Sequence, residues 1–172
     1  GSGALSHALA PLTREDLPEL WLLHSDPRVF ELDTIGPLET VDQMQRVLDV
    51  WIASHDRDGY GYHAIREVQS GAFLGVAGLS GMPLGDRWVA NTYVRLTPEA
   101  WGAGIATAAL NESLRAVAAL STAPREAAFI TADQNFPARR LAERLGFDLS
   151  TESDPTESGA HVVYLLDLHD HA

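Results

Sequence analysis

The sequence predicts a single domain of mixed α and β structure. Its length of 172 residues is enough for one domain with a sizeable core. Helix-like and strand-like patterns alternate along the second half, which reads as strand, helix, strand, helix and closing strand. No internal repeat or low-complexity tract interrupts this order. Gly1, Ser2 and Gly3 read as a cloning remnant, so we predict the domain over residues 4–172.

Two helices are predicted in the first third of the chain. The first begins after Thr13, has acidic residues in its first turn, and ends before Pro27. The second begins at Thr40, where Gln43 completes a capping box. Helical spacing gives the second helix an apolar stripe formed by Val41, Met44, Leu48 and Trp51.

From residue 60 onward the pattern is typical of strands. Strands are predicted over 60–66 and 73–79, and a turn at Gly71 joins them into an antiparallel hairpin. The remaining predicted elements are a strand over 88–96, a helix over 104–120, a strand over 127–131, a helix over 136–145 and a strand over 162–168. Gly146 is expected to end the last helix.

The composition excludes several kinds of chemistry. All 12 basic residues are arginine, 24 residues are acidic, and the chain has neither lysine nor cysteine. A Schiff base, a thiol nucleophile, a disulfide and a cysteine-ligated metal are therefore impossible. The net charge of −12 argues against nucleic acid as a partner, and it favours a cationic small molecule or peptide.

A glycine-containing turn lies between the strand that ends at Leu96 and the helix that follows. Gly102 and Gly104 allow a ligand to approach the backbone closely. The unpaired N–H groups of the first helical turn would then attract an anion. Such turns are also common without a ligand, so the surrounding sequence decides their meaning.

The sequence around this turn resembles the GNAT N-acetyltransferases, and in particular their RimJ/RimL-like branch. Residues 101–106, Trp-Gly-Ala-Gly-Ile-Ala, match the Q/R-x-x-G-x-G/A motif of that family, with Trp101 in the Gln/Arg position. Asn135, followed by Leu-Gly-Phe at 145–147, is similar to its second cofactor motif. The resemblance extends to Asp26-Pro27-Arg28-Val29 and covers nearly the whole chain.

The resemblance implies a GNAT domain with a mixed, splayed sheet of about seven strands and helices on both faces. It also implies acetyl-CoA as the cosubstrate, bound where two central strands separate. The cofactor-binding residues expected from it are Leu96, Thr97, Trp101, Gly102, Ala103, Gly104, Ile105, Ala106, Thr107, Asn135, Arg139 and Arg140. The activity implied is transfer of the acetyl group to a primary amine.

The catalytic residues are less well defined, because the three usual acid–base positions of the family align with Asn91, Ala138 and Ala142. Other candidates for catalysis are Tyr93, His63 and Asp133. Two alternatives remain open. Proximity and water could carry the reaction without a side-chain acid or base, or the domain could bind acyl-CoA without catalysis.

The acceptor is expected to be a cationic amine, such as a peptide N-terminus, a polyamine or an aminoglycoside-like compound. In the family the acceptor is framed by two loops, which carry the acidic residues Glu31, Asp33, Glu152, Asp154 and Glu157 here. A toxin acting on charged tRNA would need a basic surface, so the acidic charge argues against it.

Metal and membrane sites are not predicted. The seven histidines have no metal-binding spacing, and no apolar run is long enough to span a bilayer. Without a signal peptide, we expect a cytoplasmic protein that is a monomer or a homodimer.

Overall fold

An open sheet organises the chain in the computed structural model, which describes residues 6–171. Within those residues the sheet has seven strands: β1 (His7–Pro11), β2 (Tyr62–Glu67), β3 (Phe73–Leu84), β4 (Arg87–Leu96), β5 (Glu126–Ala132), β6 (Asp148–Leu149) and β7 (His161–Asp167). The α-helices are α1 (Leu17–His24), α2 (Val41–Asp58), α3 (Ile105–Ala118) and α4 (Phe136–Arg144).

The strands follow the order β1-β2-β3-β4-β5-β7-β6 across the sheet. Neighbouring strands are antiparallel except for β4 and β5, which run parallel. The sheet is therefore mixed, as the resemblance implies. Its one parallel pair is joined by α3, a connection of the βαβ type.

Helices cover both faces of the sheet, and the alternation of side chains along each strand sorts them into two cores. On β2, Ile65 packs in the core beneath α3 and α4, whereas Ala64 packs in the core beneath α1 and α2. Leu110 of α3 and Leu48 of α2 are fully buried in these two cores. Burial of each such leucine stabilises the fold by about 2 kcal/mol.

The predicted start of α2 is confirmed. The Thr40 hydroxyl accepts the Gln43 N–H at 3.2 Å, and Gly59 ends the helix with a φ of 79°. Val41, however, is largely exposed and lies outside the buried stripe. Among residues 6–171, no helix has both the length and the apolar character needed to cross a bilayer.

The edges of the sheet differ from the sequence prediction. β1 and β6 were not predicted as strands, because five and two residues carry too little periodicity to be recognised. Each depends on its neighbour, since β1 pairs with β2 and β6 pairs with β7. β3 continues to Leu84, five residues beyond the predicted end, because it pairs with β4 along that whole length.

Candidate active site

The parallel strands β4 and β5 separate near the middle of the sheet. They pair at two positions, one of which places Ala90 opposite Ala127. Beyond these positions β4 continues to Leu96 and β5 continues to Ala132, with no pairing between them. Because both strands run in the same direction, the gap widens toward their carboxyl ends. We call this gap the wedge.

One wall of the wedge has free backbone groups. The Thr97 N–H donates to the Leu74 carbonyl at 2.9 Å, so Thr97 turns toward β3. Leu96 lies opposite Gly75, and backbone groups alternate in direction along a strand. Leu96 and Val94 therefore direct their N–H and C=O groups into the wedge. The Thr97 N–H is directed away from the wedge, and Val94 joins Leu96 on this wall.

The glycine turn leads from this wall into α3. Gly102 and Gly104 have φ values of 79° and 76°, which a residue with a side chain adopts at a cost. A Cβ at either position would have no atom within 4 Å, so the space before the turn is open. The first backbone hydrogen bond of α3 runs from the Ala108 N–H to the Gly104 carbonyl. The N–H groups of residues 105–107 are thus unused within the helix and can bind an anion.

Two further side chains lie beside the turn. The Trp101 indole N–H donates to the Leu96 carbonyl at 3.2 Å, and the side chain remains half exposed. Arg144, in the last turn of α4, donates to the Thr107 hydroxyl at 3.3 Å. This bond brings a guanidinium next to the free N–H groups of α3. The sequence analysis did not predict a role for Arg144.

The opposite wall begins at the amino end of α4. The Asn135 side-chain oxygen accepts the Ala138 N–H at 3.2 Å, so Asn135 caps the helix and its amide nitrogen remains available. Arg139 donates through Nε to the Tyr164 hydroxyl at 3.0 Å. Arg139 is thus directed at β7, whereas Arg140 is exposed to solvent. Of these two arginines, only Arg140 is free to reach a phosphate.

Two adjoining cavities occupy the wedge. The outer cavity, of about 480 Å³, lies beside Leu96, Trp101 and Pro137. The inner cavity, of about 370 Å³, extends toward α1 and α2. Four residues line both cavities: Asp33, Val94, Arg95 and Asn135. A ligand held along Leu96 in the outer cavity would therefore meet a second ligand at this junction.

A buried chain of hydrogen bonds crosses the junction. His24 Nδ1 lies 2.8 Å from the Leu20 carbonyl oxygen, and its Nε2 lies 2.8 Å from the Tyr93 hydroxyl. Arg95 donates through Nε to the same hydroxyl at 2.8 Å and pairs through Nη2 with the Asp33 carboxylate. The chain links α1, β4 and the loop after α1.

These contacts determine which atoms of His24 and Tyr93 donate a proton in each hydrogen bond. Burial lowers the pKa of His24 to about 4, so its imidazole is neutral near pH 7. A carbonyl oxygen can only accept a hydrogen bond, so Nδ1 of His24 carries the ring proton and Nε2 is an acceptor. Tyr93 therefore donates its hydroxyl proton to His24. Burial raises the pKa of Tyr93 to about 12, so the phenol stays protonated.

Arg95 also holds the loop after α1 over the inner cavity. Its Nη1 donates to the Val29 carbonyl at 2.9 Å, and its guanidinium lies 3.9 Å from the centroid of the Phe30 ring. Farther along the loop, the Thr34 hydroxyl lies 3.2 Å from Nε2 of His161, at the start of β7. The loop is therefore attached to both sides of the wedge.

This architecture corresponds to a known family. The model of the acetyltransferase (GNAT) domain matches residues 8–148, which is most of the chain. The chain belongs to the GNAT acetyltransferase family. No curated protein gave a significant match.

Solved structures of GNAT enzymes share the fold at low sequence identity. An acetyltransferase from Agrobacterium tumefaciens aligns with a TM-score of 0.78 and 22% identity, covering 93% of this chain and 90% of that one. The spermidine N-acetyltransferase of Vibrio cholerae, in complex with CoA and spermine, aligns with a TM-score of 0.74 and 19% identity. That alignment covers 96% of this chain and 97% of the Vibrio protein.

The three usual GNAT acid–base positions supply no ionisable group in this chain. Asn91 donates to the Tyr62 hydroxyl at 3.4 Å, within the sheet. Ala138 lines the inner cavity and Ala142 is fully buried in the core. Burial raises the pKa of Tyr62 to about 12, so it does not replace them as a base.

Of the alternative catalytic candidates, only Tyr93 lies in the wedge. On β2, Tyr62 packs in the core on the α1–α2 side, so its neighbour His63 points to the opposite face. There His63 lines a separate cavity with His55, and the two ring centroids are 5.3 Å apart. Strand alternation therefore carries the His63 side chain away from the wedge, and its role in catalysis stays a prediction.

Asp133 contributes through its backbone. Its N–H donates to the Ala160 carbonyl at 2.8 Å, and its carbonyl accepts Nη1 of Arg139 at 3.0 Å. The residues lining the inner and outer cavities do not include Asp133. Asp133 thus connects β5 to α4 and β7, and the structure does not bring its carboxylate to the reacting centre.

Three of the five predicted acceptor-binding acids are already paired within the chain. Asp33 pairs with Arg95 as described, and Glu152 lies 2.7 Å from Nη2 of Arg87. Asp154 accepts hydrogen bonds from the Thr156 and Ser158 side chains and from the His161 N–H. The carboxylates of these three acids therefore already have partners within the chain, and their role in binding the acceptor stays a prediction.

The other two acids have no such partner among residues 6–171. Glu31 lies at the rim of the outer cavity, and Glu157 lies on the exposed loop before β7. Neither lines the inner cavity. Glu31 therefore lines the outer cavity alone, and Glu157 lines neither cavity.

His24 and Arg95 were not predicted as site residues from the sequence. His24 lies on the apolar face of α1, where a histidine usually has a structural role. Arg95 is not part of a recognisable motif. One signal was available, since Arg95 follows Tyr93 by two positions on a predicted strand and so shares its face. The contact with His24 could not be read from the sequence.

Proposed function

We propose that this GNAT protein transfers the acetyl group of acetyl-CoA to a primary amine, which attacks directly in a ternary complex. The observation that carries the proposal is the wedge. Its backbone groups at Val94 and Leu96, which pair with no neighbouring strand, are followed by the turn that ends at the open amino end of α3. A linear ligand with amides and a phosphate-bearing end fits this order of groups.

The residues present suit such a cosubstrate. The backbone of Val94 and Leu96 would pair with the pantetheine amides, and the N–H groups of residues 102–107 would hold the pyrophosphate. The Asn135 amide nitrogen would donate to the pantetheine arm. Arg144 and the exposed Arg140 would supply the positive charge that the turn itself lacks. Acetyl-CoA, when bound, supplies an activated thioester carbonyl and a thiolate leaving group.

The chain's own contribution to the reaction is mainly orientation. A new C–N bond forms as the C–S bond breaks, and the proton released by the amine passes to the sulfur, directly or through water. Arg95 occupies one lone pair of the Tyr93 hydroxyl, and His24 takes its proton. The remaining lone pair can accept an N–H of the incoming amine. Holding two reactants in this way can lower a barrier by about 7 kcal/mol.

The finer features of the proposal come from the sequence. The resemblance to the RimJ/RimL-like branch favours peptide N-termini as one class of acceptor. The net charge of −12 supports an acceptor that is cationic in solution, because it raises the local concentration of cations. We place the reaction in the cytoplasm, where acetyl-CoA is available, with the protein as a monomer or homodimer.

Release of free CoA thiol tests the proposal. Wild-type protein and acetyl-CoA are incubated with a panel of amines and N-terminal peptides, and thiol is measured with a chromogenic disulfide. We expect turnover with at least one amine, and products acetylated on nitrogen by mass spectrometry. Hydrolysis at the same rate without any amine would contradict the proposal.

A second readout separates catalysis from binding alone. CoA bound along Leu96 competes with the Trp101 indole for the Leu96 carbonyl, so we expect CoA to change the tryptophan emission. The Trp101→Phe variant should lose most of this change and is the matched control. A CoA-dependent change without turnover on any acceptor would favour a non-catalytic acyl-CoA-binding module.

A further inference from the structure

The inner cavity is apolar where it faces α2, although threonine and histidine side chains also line it. On the side away from Leu96, it is lined by Leu38, Val47 and Trp51, with Ile35 at its rim. These side chains offer contact area but no hydrogen-bond acceptor for an ammonium group. A ligand with an apolar body would be stabilised there by the area it removes from water.

Charge within this cavity is balanced. Asp33 is the one acidic residue among the described residues that line it, and Arg95 pairs with its carboxylate. The Asp33 and Arg95 side chains are only 22% and 19% exposed, so the pair is shielded from water. Of the other titratable side chains that line the cavity, His24 and Tyr93 are neutral, and His161 lies 3.3 Å from the Asp154 carboxylate. A second ammonium group that entered the cavity would therefore lose its hydration, and no unpaired carboxylate would compensate for that loss.

From this arrangement we infer that the acceptor carries a single amine on an apolar or aromatic body, rather than several cationic groups. The inference rests on the proposed function and names its substrate class. Two sources share this chemistry, a small alkyl or arylalkyl amine and the N-terminus of a peptide with an apolar first residue. A polyamine does not fit, because its inner ammonium groups would lie against Leu38 and Trp51.

A matched pair of amines tests the inference. Hexylamine and 1,6-diaminohexane share the same six-carbon chain and differ in one ammonium group. We expect kcat/KM to be at least tenfold higher for hexylamine at equal ionic strength. Equal values, or a preference for the diamine, would overturn the inference. Phenethylamine and a short peptide beginning with phenylalanine, assayed in parallel, distinguish the two sources.

Binding keeps this test independent of catalysis. The affinities of both amines are measured calorimetrically in the presence of CoA. If hexylamine binds more tightly but neither amine is acetylated, the inference holds and the proposed function fails. If neither amine binds or reacts, the inference is overturned.

A charge introduced at the rim provides a second test. Ile35 lines the inner cavity and is 73% exposed, so replacing it does not disturb the core. Ile35→Glu should raise kcat/KM for the diamine about tenfold relative to Ile35→Gln, which has nearly the same shape without the charge. The diamine should gain more than hexylamine, because only the diamine has a second ammonium group to reach the rim. The same diamine-to-hexylamine ratio in the two variants would contradict the inference.

Discussion

His24 Nε2 lies 2.8 Å from the Tyr93 hydroxyl oxygen, although the two residues are 69 positions apart in the chain. Because the other nitrogen of His24 donates to the Leu20 carbonyl, Nε2 is an acceptor and the Tyr93 hydroxyl donates its proton to it. Tyr93 thus presents a lone pair, and not a proton, to the wedge. This orientation suits an amine that must donate a hydrogen bond while its own lone pair attacks.

Replacing Tyr93 with phenylalanine should impair the reaction with the amine but not the binding of acetyl-CoA. The loss of one hydrogen bond, about 1 kcal/mol, predicts a fall in kcat/KM for the amine of about fivefold. The KM for acetyl-CoA should be unchanged, because its predicted contacts are with the backbone and with α3. Steady-state kinetics with each substrate varied in turn measures both values.

Two substitutions separate the hydrogen bond of His24 with Tyr93 from the packing of its ring. His24→Gln retains an acceptor for the Tyr93 proton, whereas His24→Leu removes it and lets the hydroxyl rotate. We expect His24→Gln to retain most of the kcat/KM for the amine and His24→Leu to resemble Tyr93→Phe. Equal loss in both His24 variants, with equal melting temperatures, would show that His24 does not orient Tyr93.

Acid should destabilise the protein through His24. Burial, the largest cause, lowers the pKa of His24 in the folded state to about 4, from about 6.5 in the unfolded chain. Between these values the unfolded chain binds a proton that the folded chain does not, so the free energy of unfolding falls as the pH falls. From pH 7 to pH 5 this amounts to about 2 kcal/mol, measured by urea denaturation.

His24→Gln is the control for this pH dependence. It has no proton to gain at position 24, so its free energy of unfolding should vary less between pH 7 and pH 5. A remaining slope is expected from His63, whose pKa is also lowered by burial. An unchanged slope in the variant would mean that His24 binds protons equally in the folded and unfolded chain.

The pairing of Arg95 with Asp33 should couple the loop after α1 to β4. Arg95→Met leaves the Asp33 carboxylate shielded without a partner, which should cost about 3 kcal/mol of stability. Asp33→Asn removes that charge, so the double variant should be less destabilised than the sum of the single ones. Urea denaturation of the four proteins gives the coupling energy. Additive effects would indicate that Arg95 acts through Val29 and Phe30 instead.

Those parts of the fold that obey local rules were predictable from the sequence. The Thr40 capping box, the hairpin turn at Gly71 and the glycine turn at Gly102 each depend on residues a few positions apart. β1 and β6 were not predictable, because each is a strand only through pairing with a distant neighbour.

Part of the candidate site was likewise predictable from the sequence, and part was not. Its backbone part followed from the glycine turn and from the resemblance to known enzymes. The pairing of the acids did not, since Arg87 and Glu152 are brought together only by the fold. The position of His63 was a matter of strand alternation, and the choice of face required knowledge of which core Tyr62 enters.

The conformation of Gly104 should matter for the cosubstrate as well as for stability. Its φ of 76° makes Gly104→Ala unfavourable by about 1 kcal/mol, and the added methyl group enters the open space before α3. We therefore expect a lower melting temperature together with an affinity for CoA that is reduced at least tenfold. Fluorescence titration with CoA measures the second effect.

Gly85→Ala is the matched control for this variant. Gly85 has a φ of 62° and equally open surroundings, but it lies in the turn between β3 and β4, at the end of β4 away from Leu96. The two variants should lose similar stability because both force alanine into a left-handed conformation. Only Gly104→Ala should bind CoA more weakly. Equal loss of CoA affinity in both would mean that strain, and not the open turn before α3, governs binding.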